Sequence, residues 1–122
     1  MTVKGPVLVV DDDQDILYSM DMALSDEGYE VLTASDGAEA LAVLQLRVPT
    51  LILLDMRMPV MDGWQFARAY RRRPGPHAPI VVVTAARDAA ERAAEIEAQG
   101  VLPKPFRIDD LLQTVGRYAE SA

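Results

Sequence analysis

The chain has 122 residues, is half apolar and contains no cysteine, so it is sized for one domain with a real core and excludes disulfides, thiolate metal sites and a catalytic thiol. Its net charge of −7 argues against a direct grip on nucleic acid through phosphate contacts. No apolar run approaches the ~20 residues of a membrane span, and no basic-then-apolar leader opens the chain, so no membrane contact and a soluble, cytoplasmic protein are expected.

In chain order, Val7–Val10 reads as a first strand, an unbroken apolar run of the kind that helices cover on both faces. Ile16, Leu17, Met20 and Leu24 then share one helical face, and Gly28 supplies a stop. Val31–Ala34 is a second strand. Ser35 or Asp36 caps a second helix carrying Ala38, Leu41 and Leu44, which ends before Pro49. Leu51–Leu54 is a third strand. Asp62–Gly63 opens a third helix with Trp64 and Phe66 early and Arg71, Arg72 and Arg73 at its end, where positive charge complements the helix dipole. Pro74–Gly75–Pro76 breaks the chain before a fourth strand, Ile80–Val83. Asp88 starts a fourth helix, rich in alanine, that runs to Gly100. Val101–Leu102 is a short fifth strand, and Ile108, Leu111, Leu112, Val115 and Tyr118 line an amphipathic last helix. Alternating strands and helices make the class α/β with a parallel sheet, in a single domain over residues 1–122.

Ligands of open α/β sheets bind beyond the carboxyl ends of the strands. Asp11, Asp12 and Asp13 follow the first strand, Asp55 the third and Thr84 the fourth, while the fifth leads to Lys104. These side chains are expected to meet in one cleft. Each alone has a bland explanation: helix caps for the aspartates and Thr84, a solvated loop lysine between Pro103 and Pro105. Arrival of all of them at strand ends does not. Clustered carboxylates repel by roughly 4 kcal/mol per pair at 4 Å and an effective dielectric of about 20, and one lysine leaves an excess. Either a carboxylate takes up a proton or a cation sits between them. Oxygen-only ligands in an open site suit Mg²⁺ better than calcium, which wants more protein oxygens, or zinc, which prefers nitrogen and sulfur. Asp55, at the end of the central strand, is then placed to be a nucleophile forming an acyl phosphate. Asp11 and Asp12 serve as metal ligands, and Lys104 stabilises charge on the transferred oxygens.

The segments VLVVDDDQDIL, LILLDMRMPVMDGW, VVVTA and LPKPF, in this order, resemble the bacterial response-regulator receiver domain over the whole chain. The resemblance implies a flavodoxin-like (βα)₅ fold, doubly wound, with five strands in the order 2-1-3-4-5. It implies Asp55 as phosphoacceptor, Asp12 as direct metal ligand, Asp11 as the second acid, and the Arg57 backbone carbonyl as a further ligand. Thr84 matches the hydroxyl that swings to the phosphoryl group, Lys104 its ion partner, and Ala85 the small neighbour that leaves room for it. A cis Lys104–Pro105 bond is implied as well. Asp13 falls outside the matched pair and reads as a cap or supporting acid. The implied donor is a histidine kinase or histidine phosphotransfer protein. The output is a changed surface at the fourth helix, fifth strand and fifth helix that binds a downstream protein or a second copy. The domain is then a switch with slow self-dephosphorylation, not a turnover enzyme, and no output domain is expected in this chain.

Two departures stand out. Receivers often carry Tyr or Phe where Val101 stands, and the turn before it, Gly100–Val101, is short. The familiar inward-turning ring is therefore missing, and the Ala-rich fourth helix becomes the expected mobile element. Two rival readings are a pseudo-receiver scaffold and a Mg²⁺-dependent phosphohydrolase with an aspartyl nucleophile. The second needs an acid where Arg57 stands; the first leaves Asp55, Thr84 and Lys104 without a purpose.

Overall fold

The computed structural model describes residues 3–119; residues 1–2 and 120–122 of the expected domain lie outside the described ones. The elements alternate as β1 (Lys4–Val10), α1 (Gln14–Asp26), β2 (Tyr29–Ala34), α2 (Gly37–Leu44), β3 (Leu51–Leu54), α3 (Gly63–Arg72), β4 (Ile80–Ala85), α4 (Ala86–Glu95), β5 (Gly100–Lys104) and α5 (Ile108–Ala119). All strand pairs are parallel, and the order is β2-β1-β3-β4-β5. That is the flavodoxin-like, doubly wound arrangement.

Successive strand side chains point to opposite faces, so each apolar run feeds two cores. One face presents Leu8, Val10, Ile52, Leu54, Ile80 and Val82 to Ala40, Leu44, Phe66, Tyr70 and Ala93 of α2, α3 and α4. The other presents Val7, Val9, Leu51, Leu53, Val81 and Val83 to Leu17, Met20, Leu24, Leu111 and Val115 of α1 and α5. Burial on both sides is why these strands show no polar alternation.

Caps fix where most helices begin. Asp13 accepts hydrogen bonds from the amides of Asp15 and Ile16 at the start of α1. Asp36, not Ser35, caps α2 through the Glu39 amide. Asp62 and Gln65 form a reciprocal capping box on α3. Gly28, at φ 90°, takes the left-handed conformation that ends α1.

Several boundaries differ from the sequence expectation. β4 continues through Thr84 and Ala85 and β5 through Lys104, because Ala85 pairs with Lys104 in the ladder between them. α4 begins at Ala86 with no side-chain cap and ends at Glu95, not at Gly100. Asp88 lies in its first turn, and Glu97 at φ 54° turns the chain toward β5. In α2 the buried residues are Gly37, Ala40 and Leu44, whereas Ala38 is exposed. Gly37 rotates that face inward by lying against Met61, whose Cγ would stand 2.7 Å from a Cβ there. Ile108 is half exposed, leaving Leu111 and Val115 as the anchors of α5. Arg71 and Arg72 do occupy the last turn of α3. Their neighbours' carbonyls take the hydrogen bonds, however: Arg71 donates to Ile96 O and Glu97 O beyond α4, and Arg73 donates to Leu44 O at the end of α2.

Phe66 is fully buried under the sheet, whereas Leu46 is 85% exposed. Urea denaturation should show Phe66→Ala losing about 3–5 kcal/mol, with Leu46→Ala within about 0.5 kcal/mol of the parent.

Candidate functional site

The ladder itself aims the acids. The Asp11 amide donates to Ala34 O at 3.1 Å, and the Asp55 amide donates to Val10 O at 2.9 Å. Both residues therefore leave the sheet in register, from adjacent strands at its carboxyl edge. Leu54 pairs with Val82, two residues before Thr84, and Ala85 pairs with Lys104. The strand order thus gathers Asp11, Asp55, Thr84 and Lys104 along one edge, as the sequence predicts.

Asp11 is 2% exposed, and Asp55 and Thr84 are 8% exposed; Asp12 is open to solvent. Oxygens of Asp11, Asp12 and Asp55 all lie within 4.8 Å of one another. Lys104 Nζ donates to Asp11 Oδ2 at 2.9 Å and stands 3.8 Å from Asp55 Oδ1. One ammonium thus serves two buried carboxylates and favours Asp11. Asp11 Oδ1 also accepts the Asp13 amide at 2.9 Å, which ties this acid to the cap of α1. Asp55 Oδ1 accepts the Met56 amide at 2.9 Å.

The balance of these forces raises the Asp55 pKa from 3.8 to about 6. Burial is the largest cause and Asp11 the next; Lys104 and the Met56 amide oppose them, and Asp12 adds a further upward push. A carboxylate held in this condition gains from any cation that joins the cluster. The donor set, three carboxylates with one side open to water, consists of hard oxygens throughout. It fits a small divalent cation that retains waters.

The segment after Asp55 is built tightly. Gly63 N donates to Met56 O at 2.9 Å, and a Cβ on Gly63 would stand 2.8 Å from Met56 Cα and 2.9 Å from Asp55 O. Only glycine lets α3 start this close to the acid. Between them, Met61 N donates to Pro59 O at 2.7 Å around Val60, which sits at φ 69°. That is a strained conformation for a β-branched residue. Arg57 lies on this loop, its guanidinium 5.7 Å over the Trp64 ring. Of the two readings of Asp13, cap or supporting acid, it takes the cap of α1, and Lys104–Pro105 is cis. Sequence reasoning missed the Trp64 hydrogen bond to Glu95, for which a separation of 31 residues leaves no local signal.

A family profile described as the response regulator receiver domain matches residues 7–116. The response regulator MprA of Mycobacterium sp. (strain KMS) is 41% identical over 108 residues, covering 87% of this chain and 46% of the relative. MprA of Mycobacterium avium (strain 104) gives the same identity, with 47% of its length covered. The chain thus spans about half the length of the curated relatives it matches. Among solved structures, the chemotaxis response regulator CheY4 of Vibrio cholerae superposes with a TM-score of 0.86 at 39% identity, over 96% of this chain and 99% of the other. The receiver domain of NtrX from Brucella abortus gives 0.85 at 32% identity, over 95% and 99%.

The raised Asp55 pKa sets a sign for pH dependence. From about pH 4 to about pH 6 the folded state holds a proton on Asp55 that the unfolded chain has released, so stability falls as pH rises through that window. A shift of this size corresponds to about 3 kcal/mol at most. Urea unfolding in EDTA should show this decline in the parent protein and lose it in Asp55→Asn, which should be the more stable of the two at pH 7.

Proposed function

The chain belongs to the response regulator receiver family, and from that premise we propose that it is a phosphoacceptor switch in which Asp55 takes a phosphoryl group from a phosphohistidine. The observation that carries this reading is the meeting of Asp11, Asp12 and Asp55 oxygens within 4.8 Å, with Lys104 against them.

In the proposed step an Asp55 carboxylate oxygen attacks phosphorus in line. The new P–O bond forms as the P–N bond breaks, and the departing imidazole keeps the electron pair and takes a proton from solvent. Asp11, Asp12, Asp55 and the Arg57 carbonyl are the groups assigned to hold Mg²⁺, which when bound neutralises charge on the transferred oxygens. Lys104, already 3.8 Å from Asp55 Oδ1, supplies a second positive charge and exchanges its Asp11 contact for the phosphoryl group. Thr84, on the neighbouring strand, donates its hydroxyl to a phosphoryl oxygen. Small Ala85 beside it leaves space. Slow attack by water on the acyl phosphate resets the switch.

The phosphohydrolase reading lacks its acid, because the residue in that place is Arg57 and its side chain stacks on Trp64. The donor under this proposal is a histidine kinase or phosphotransfer protein, the setting is the cytoplasm, and the readout is contact through α4, β5 and α5 with a downstream protein or a second copy. We assign residues 1–122 to this one receiver unit.

With a labelled small phosphodonor and Mg²⁺, Asp55→Asn should take up no label above background, whereas Lys104→Ala should slow uptake on the order of 100-fold. Label retained by Asp55→Asn would remove the assignment.

A further inference from the structure

The two ends of α4 are mounted differently. It begins two residues after Thr84, Ala85 provides no side-chain cap, and residues 85–87 are exposed. Its buried side chains are the small Ala89 and Ala93, so little apolar area holds the helix body against the sheet.

The other end is clamped to α3. The Trp64 indole N–H donates to Glu95 Oε1 at 2.8 Å. Arg92 pairs with the same Glu95 oxygen at 2.9 Å and lies 5.6 Å over the Trp64 ring. Arg71 holds Ile96 O and Glu97 O just beyond. A carboxylate in the last turn of a helix opposes the helix dipole. Glu95 therefore weakens α4 locally and is retained by contacts that reach outside it.

The same indole ring reaches the phosphorylation loop. Arg57, two residues after Asp55 in sequence, holds its guanidinium 5.7 Å from the ring, so two cations, one from each segment, approach Trp64. On β5, where an inward-turning ring is expected, the chain has Val101, 37% exposed.

We propose that Trp64 is a positioning residue that couples the Asp55–Arg57 loop to α4: it fixes the C-terminal end of the helix as a pivot, about which the uncapped end beside Thr84 moves. This rests on the phosphoacceptor reading given above. Rearrangement around Asp55 shifts Arg57 on the ring, and the ring transmits the change through Glu95 and Arg92. By reciprocity, the state of the clamp biases the loop.

Hydrogen exchange of the whole chain, with and without beryllofluoride and Mg²⁺, tests the idea in Trp64→Phe and Glu95→Ala. Trp64→Phe keeps an aromatic ring but has no N–H to donate, and Glu95→Ala removes the acceptor. Loss of one hydrogen bond of about 0.5–1.5 kcal/mol corresponds to roughly 2- to 13-fold faster exchange at residues 92–97 in both variants. The beryllofluoride-dependent change in α4 should shrink by a similar factor, while protection of residues 55–62 shows that the probe still binds. If Glu95 acted only within its own helix, Glu95→Ala would relieve the dipole conflict and slow exchange; that result overturns the proposal. So does an α4 response equal to the parent's in both variants, and either outcome leaves the phosphoacceptor reading intact. Absence of beryllofluoride binding to the parent protein overturns both.

Discussion

A buried carboxylate with too little positive charge around it governs this molecule. Asp55 is 8% exposed, Asp11 is more deeply buried beside it, and the ammonium within reach lies nearer to Asp11 than to Asp55. Desolvation and like charge push the Asp55 pKa to about 6, so at neutral pH the site carries negative charge that its neighbours do not balance. Charge of this kind is tolerated in a fold because a ligand relieves it. Under the proposal a divalent cation does so at rest, and the phosphoryl group adds further negative charge that Lys104 and Thr84 move to meet. The proposed switch is the exchange between those two arrangements.

The sheet makes that constraint possible. Asp11 and Asp55 occupy adjacent strands whose ladder continues through the Asp55 amide to Val10 O. A slip of one residue would send every side chain on β3, and Asp55 after it, to the opposite face; the Asp55 N–Val10 O and Gly63 N–Met56 O bonds at its end hold the register. The α3 start is pressed against Asp55 where only glycine fits, and α1 is capped by an acid bonded to Asp11. The acid side of the site is therefore rigidly supported. The Thr84 side leads into a helix without a cap. A rigid acid cluster beside a loosely mounted helix is the asymmetry that the proposed switch would use.

Much of this was legible in the sequence, for physical reasons. Strands buried on both faces announce themselves as unbroken apolar runs, and strand-end chemistry follows from the α/β plan once those runs are located. The placement of Asp11, Asp12, Asp55, Thr84 and Lys104 at one end of the sheet needed no more than that. Boundaries at the site were less legible: whether Thr84 and Lys104 lie in or beyond a strand depends on the Ala85–Lys104 pairing, a relation between distant segments. The limits of α4 were misplaced because alanine favours helix without marking where it begins, and Asp88 looks like a cap although it lies inside the first turn. The arginines at the end of α3 were read as serving their own helix. The acceptors of Arg71 and Arg73, carbonyls just beyond α4 and at the end of α2, become neighbours only after folding.

The central claim is that the acids of β1 and β3 form a single site for a divalent cation that primes Asp55. Calorimetric titration with Mg²⁺ at neutral pH, comparing the parent protein with Asp12→Asn, tests it most directly. The account predicts one ion bound per chain and affinity weakened by at least about tenfold in the variant, a change of about 1.4 kcal/mol or more. Equal affinity in the two proteins, or no binding to the parent, would contradict it.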